Sequence, residues 1–356
     1  MTLFFFVVAL ELKREIVLGE LRDPRLATLS LAGALGGMAA PAGLYLLLAG
    51  GGAGAHGWGV VMATDTAFVI GCLALLGSRA PLSLRLFLLS LAIFDDVGAI
   101  MFVAIGYSGA IDWRPLLVAG AGFAVVLLMA RLGVRALALY FLVGAAIWLA
   151  IDSSGIHATL TGVALGLMTP ARGWVTDERL RAILDRVLAR PAGDTWSGDT
   201  AERGDLRRAG VAARETLSPI EQLELMLHPW VAFAILPIFA LANAGVRVGS
   251  APIDPAVVTA VIAGLAIGKP LGIFTLSWLA VRLRLAVRPP SLTWPMLAAG
   301  GVLTGIGFTM ALFIAELAFE PVLLVSAKIG ILAASVVAGA AGLLSLYLLS
   351  RREKRL

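Results

Sequence analysis

The 356-residue chain is 60% hydrophobic and only 14% charged, and its mean hydropathy of +0.94 is far above that of a water-soluble domain. That composition excludes a soluble enzyme or soluble binding module and calls for a bilayer as solvent. A net charge of +5 would suit a polyanionic partner, but the basic residues sort by membrane side instead, so no nucleic-acid partner is expected.

Long apolar runs with short charged or Pro/Gly-rich connectors predict an all-α polytopic membrane protein rather than a β-barrel. The first apolar stretch, Leu3 to Leu10, is too short to cross and runs straight into Glu11, without the basic lead-in of a cleavable signal peptide. Ten full spans follow, at 27–48, 53–76, 82–107, 115–130, 136–151, 155–170, 222–245, 255–281, 292–318 and 321–350. They form one transmembrane domain, 1–356, holding one sizeable soluble loop, 172–218. In that loop, RLRAILDRVLAR (179–190) sets Leu180, Ile183, Leu184, Val187 and Leu188 on one helical face, either a short amphipathic element in a tolerant connector or a membrane-surface or regulatory helix. The single cysteine, Cys72, lies inside a span, which excludes an intramolecular disulfide.

Alternating through the spans, one face collects Lys13, Arg14, Arg22, Arg25, Arg79, Arg85, Arg131, Arg135 and nine arginines between Arg172 and Arg214. It also takes Arg282, Arg284, Arg288 and the basic C-terminal tail, whereas the other face holds only Arg114 and Arg247. The positive-inside rule makes the first face, and with it the C-terminus, cytoplasmic. Trp113, Trp148, Trp278 and Trp294 fall near span ends, as interfacial anchors do.

Two spans are interrupted. One, WGVVMATDTAFVIG, places Thr-Asp-Thr in mid-span; the other, AAGGVLTGIGFTMALF, gathers Gly300, Gly301, Gly305 and Gly307. A polar mid-span segment matched with a Gly-broken one is the pattern of discontinuous helices that build an ion site.

Ionisable side chains deep in spans cost several kcal/mol and mark function. Asp95 and Asp96, in SLAIFDDVGAIM, are adjacent at the centre of a span. Neighbours on a helix point about 100° apart, so one pocket uses both only from the helix edge. Two carboxylates in a poorly solvated site cannot both ionise easily, so they exchange protons as a unit and yield them to a small hard cation. Asp65 can offset the N-terminal ends of half-helices, or simply cap one, and Thr64 can lend an oxygen to a cation. Lys269, in AIGKPLGIF, needs a buried partner, for which an aspartate of the pair is the economical choice, and Pro270 after it marks a helix kink. Glu316 and Lys328 lie nearer span ends, where they can snorkel. The chain has three histidines, none in a metal-ligand spacing, and no phosphate-binding loop, so ATP hydrolysis by this chain and a resident cofactor are not expected.

The strings ALELKREIVLGEL, GWGVVMATDTAF, FLLSLAIFDDVGAI, LHPWVAFAILPIFALANAGV, IGKPLGIF and TGIGFTMALFIAELAF closely resemble the NhaA family of sodium/proton antiporters. Discontinuous helices at an ion site are themselves a feature of that family. The resemblance implies an inverted-repeat transporter fold in which two broken helices cross at the ion site, and it implies a secondary transporter rather than an enzyme. By position, Asp95 and Asp96 match the family's essential pair, with Asp96 the direct sodium ligand, and Lys269 matches the partner of the first aspartate. Asp65 and Thr64 match polar residues at the helix crossing, where Gly305 and Gly307 belong to the second break. Glu11, Arg14, Glu15 and Glu224 match residues linked to pH activation.

The implied activity is electrogenic, pH-activated export of Na⁺, with Li⁺ as an alternative ion, in exchange for external H⁺. It would serve pH and sodium homeostasis in a bacterial cytoplasmic membrane. The family has twelve spans, so this chain is expected to lack the first, part of the second, and the outer hairpin of the family's homodimer contact. The competing readings are an inactive truncated antiporter, a passive cation channel, and an intramembrane aspartyl protease. The last would need two aspartates on separate helices and would leave Lys269 without a purpose.

Overall fold

A computed structural model describes residues 1–17, 19, 24–50, 53–107, 111–134, 136–171, 180–182, 184–185, 207, 209–210, 217–246 and 253–353. The amphipathic element anticipated at 179–190 falls largely outside the described residues. Among the described residues the regular elements are all helical. In chain order they are α1 (Thr2–Val17), α2 (Pro24–Ala49), a 3₁₀ segment (Ala53–Gly59), α3 (Thr66–Leu76), α4 (Leu82–Gly106), α5 (Trp113–Arg131), α6 (Leu137–Ser153) and α7 (Thr159–Met168). After the soluble loop come α8 (Pro219–Asn243), α9 (Pro255–Arg282), α10 (Trp294–Leu303), α11 (Phe308–Ala318) and α12 (Pro321–Glu353).

The apolar segments all recur, but not as ten uniform spans. Among the described residues six helices (α2, α4, α5, α8, α9 and α12) are long and apolar enough to cross a membrane, and the α10–α11 pair, bent by 52°, makes a seventh if taken as one span. The stretch read as 53–76 is a 3₁₀ segment, an irregular turn and an 11-residue helix, while α6 and α7 have 17 and 10 residues. Hydropathy reports how far apolar sequence extends, not where its hydrogen-bond ladder stops. The stub at the start is the beginning of the 16-residue α1, whose Phe4, Phe5, Val7, Val8, Leu10 and Leu12 are buried.

Local chemistry sets the helix starts. Ser218 and Glu221 form a reciprocal capping box at α8, Asp112 caps α5, and Asp254 and Thr293 cap α9 and α10 ahead of a proline in the first turn. Inside α8 and α9 lie π turns, Val231–Ile235 and Gly264–Gly268. Each precedes a proline, Pro237 or Pro270. A proline supplies no N–H and its ring crowds the carbonyl four residues back, here Phe233 and Ala266, and the wider turn relieves both. Pro270 is thus absorbed by a π turn within one continuous span.

Two apolar cores share α4. One joins Phe5, Val60, Ala99, Val261, Leu312 and Ile331; the other joins Met38, Leu73, Leu88, Ile273, Leu297 and Ala338. α2 and α9 approach backbone to backbone, since a Cβ on Gly36 would lie 2.0 Å from the Gly272 carbonyl oxygen. Small residues at such crossings are how membrane helices gain close packing. α5 and α6 form a smaller cluster of their own around Val126 and Ile147.

Candidate functional site

Asp95 and Asp96 are the fourteenth and fifteenth of the 25 residues of α4, and the helix turns them toward different neighbours. Asp95 meets α9: Lys269 Nζ donates to Asp95 Oδ2 at 2.8 Å, and both side chains are wholly buried. The same ammonium donates to the Met62 carbonyl, in the unwound stretch before α3. Such a carbonyl has no place in a helical ladder, so it is free to take a cation. Asp96 meets α3 instead, where Thr66 Oγ1 donates to Asp96 Oδ2 at 3.1 Å.

The tripeptide Thr64-Asp65-Thr66 sends its three side chains to three places. Thr64, fully buried beside the Asp95 carboxyl, donates to the Thr304 carbonyl at 3.0 Å. Asp65 adopts extended backbone (φ −86°, ψ 92°) and caps α3, its Oδ1 accepting from the Phe68 N–H at 3.3 Å. Its Oδ2 accepts from the Thr309 N–H, at 2.9 Å, and from the Thr309 hydroxyl, both in the first turn of α11. The Asp65 N–H donates to the Ile306 carbonyl at 2.7 Å. One carboxylate therefore faces the N-terminal ends of two half-helices, where backbone dipoles favour negative charge. With both oxygens engaged, Asp65 acts in this geometry as the cap that joins the two breaks.

Gly305 and Gly307 sit at the second break, but not for left-handed backbone, since neither has positive φ. Gly305 makes room: a Cβ there would stand 2.6 Å from the Leu265 carbonyl oxygen in the π turn of α9.

The charges do not balance. Asp95 is matched by Lys269 and Asp65 by two helix ends, while Asp96 has one hydroxyl. Asp95 Oδ1 and Asp96 Oδ1 are buried and lack a well-formed hydrogen bond among the described residues. An ionised carboxylate in such a place demands compensation. A proton supplies it, and so does a small cation ligated through oxygen.

The other sequence-derived residues form a second group. Arg14 bonds Glu224 of α8 and lies 3.3 Å from Glu15. Glu11 interacts electrostatically with Glu224, Arg14 and Glu15 and also with Asp96. The cluster thus lies within electrostatic reach of the pair. Glu316 and Lys328, which lie near span ends, join α11 to α12 through an ion pair of 3.2 Å.

Thr66 and Thr309 were not singled out by sequence reasoning. Hydroxyls are common in membrane helices, and their partners here come from other helices. The one available signal was position, each lying within an interrupted span.

Comparison with known proteins places the chain in a family. A family model described as Na⁺/H⁺ antiporter 1 matches residues 1–346. The chain is 64% identical over 355 residues to the Na⁺/H⁺ antiporter NhaA of Rhizobium meliloti (strain 1021), covering all of this chain and 81% of that protein. It is 59% identical over 356 residues to NhaA 1 of Acidiphilium cryptum (strain JF-5), again with all of this chain and 79% of the relative covered. A third relative, NhaA 2 of Vibrio vulnificus (strain CMCP6), is 56% identical over 355 residues, with all of this chain and 79% of that protein covered. The chain is therefore a polytopic membrane transporter belonging to the Na⁺/H⁺ antiporter 1 family.

Proposed function

We propose that the protein exchanges Na⁺ for H⁺, and Li⁺ for H⁺ as an alternative, at the Asp95–Asp96 pair, with Asp96 as the direct ligand. The observation that carries this reading is the uncompensated, buried Asp96 carboxylate beside an Asp95 whose charge is matched by Lys269. Protonated, Asp96 is neutral and tolerates burial. Ionised, it requires a cation, so proton and Na⁺ exclude one another at one site. Asp95, with Lys269 as counter-charge, and Thr64 complete the oxygen-rich surroundings, while Asp65 holds the two breaks together. Asp95 and Lys269 are fully closed to solvent and Asp96 is 2% exposed, so turnover needs a movement that opens the site to each side in turn.

The finer features follow from the same chemistry. Rising pH strips the pair of protons and so activates exchange, with Glu11, Arg14, Glu15 and Glu224 as the responding cluster. More than one proton per Na⁺ makes the cycle electrogenic. The arginine distribution fits a bacterial cytoplasmic membrane with the C-terminus inside, where such exchange would serve pH and sodium homeostasis. The experiment is Na⁺-induced collapse of a pH gradient in everted vesicles, with wild type beside Asp96→Asn. Collapse is expected in wild type alone; Na⁺-dependent exchange by an Asp96→Asn protein would remove Asp96 from the site.

A further inference from the structure

Building on this reading of Asp96, we infer that Thr66 is a further residue of the cation site, fixing the Asp96 carboxylate and supplying a hydroxyl oxygen to the cation. Thr66 is the first residue of α3, directly after the capping Asp65. Its hydroxyl donates to Asp96 Oδ2 at 3.1 Å. A threonine hydroxyl has one proton and two lone pairs, so donating to Asp96 leaves the oxygen able to accept a metal ion.

The spacing suits that use. Oxygen ligands of a hard cation the size of Ca²⁺, which is also close to the size of Na⁺, stand about 2.3–2.6 Å from it, which puts adjacent ligands on the order of 3.3 Å apart. The Oγ1–Oδ2 separation is within a few tenths of an ångström of that. The remaining Asp96 oxygen, Oδ1, is buried without a well-formed hydrogen bond among the described residues. Asp96 thus offers one open oxygen and one held oxygen paired with a hydroxyl. Thr64 differs, because its hydroxyl is directed to the Thr304 carbonyl on the α10 side of the break. Asp65 is directed to helix ends. Of the tripeptide, Thr66 alone bonds the uncompensated carboxylate.

The substitution Thr66→Val removes the hydroxyl at nearly constant volume, and Thr66→Ser keeps it. Exchange in everted vesicles is measured against Na⁺ concentration at one fixed pH, with wild type and Asp96→Asn alongside and membrane content of each protein checked. The expected result is a rise in apparent KM for Na⁺ of roughly tenfold in Thr66→Val, the scale of one lost hydrogen bond to a charged group. Maximal rate should change by less than about threefold, and Thr66→Ser should stay within about twofold of wild type. Thr66→Ala, also lacking the hydroxyl, replaces the valine variant if that one does not accumulate. An unchanged KM in the hydroxyl-less variant, or equal impairment in Thr66→Ser, overturns the assignment. Because wild type and Asp96→Asn are read in the same series, failure of the Asp96 site shows separately as exchange by the asparagine variant.

Discussion

Lys269 holds two partners at once, the Asp95 carboxylate and the Met62 carbonyl, with no access to water. Removing one member of such a pair strands a buried charge, at a cost of about 3–5 kcal/mol, whereas replacing both with apolar or neutral groups is often close to neutral. Lys269→Met should therefore lower the melting temperature of the detergent-purified protein sharply, and Asp95→Asn/Lys269→Met should recover most of the loss. A double variant as unstable as the single one would show that the pairing is not what holds α4 to α9. Asp65 gives a second contrast. Asparagine retains an acceptor for one of the two helix ends and alanine retains none, so Asp65→Ala should cost about 1–2 kcal/mol more than Asp65→Asn. Asp95, Asp96 and Lys269 were legible in the sequence because a charge inside an apolar run has few innocent explanations. Asp65 was legible as a polar break, but its double cap was not, since Thr309 lies 244 positions away. Thr66 was hidden for the same reason.

At the scale of elements, α2 and α9 pack as closely as their backbones allow. Gly36 and Gly272 meet with backbone against backbone, while Gly43, elsewhere on α2, has open space where its Cβ would be. Gly272→Val should destabilise the protein by at least about 1–3 kcal/mol, the usual cost of overpacking, and Gly43→Ala should leave it unchanged or slightly stabilised. Thermal unfolding of the two variants in one detergent checks this, and equal melting temperatures would count against the close approach. The interrupted spans were readable from Thr-Asp-Thr and from the run of glycines. The π turns were not, because a π turn adds one residue without changing which residues are apolar, and Pro237 and Pro270 marked only that something must yield. Likewise, an apolar run said nothing of α7 ending after 10 residues.

For the molecule as a whole, the proposed coupling of two ions rests on a single exclusion, that Asp96 would carry a proton or a cation but not both. The pH dependence follows in sign. Na⁺ can bind only after a proton leaves, so apparent affinity for Na⁺ should rise as pH rises from 6.5 to 8.5, and exchange should rise with it. The most direct measurement is proton release from the purified protein in weakly buffered solution when Na⁺ is added. A saturable release of protons from wild type, absent on adding choline and absent in Asp96→Asn, is the expected result. Na⁺ binding that releases no protons, or release that persists in Asp96→Asn, would contradict competition at this carboxylate.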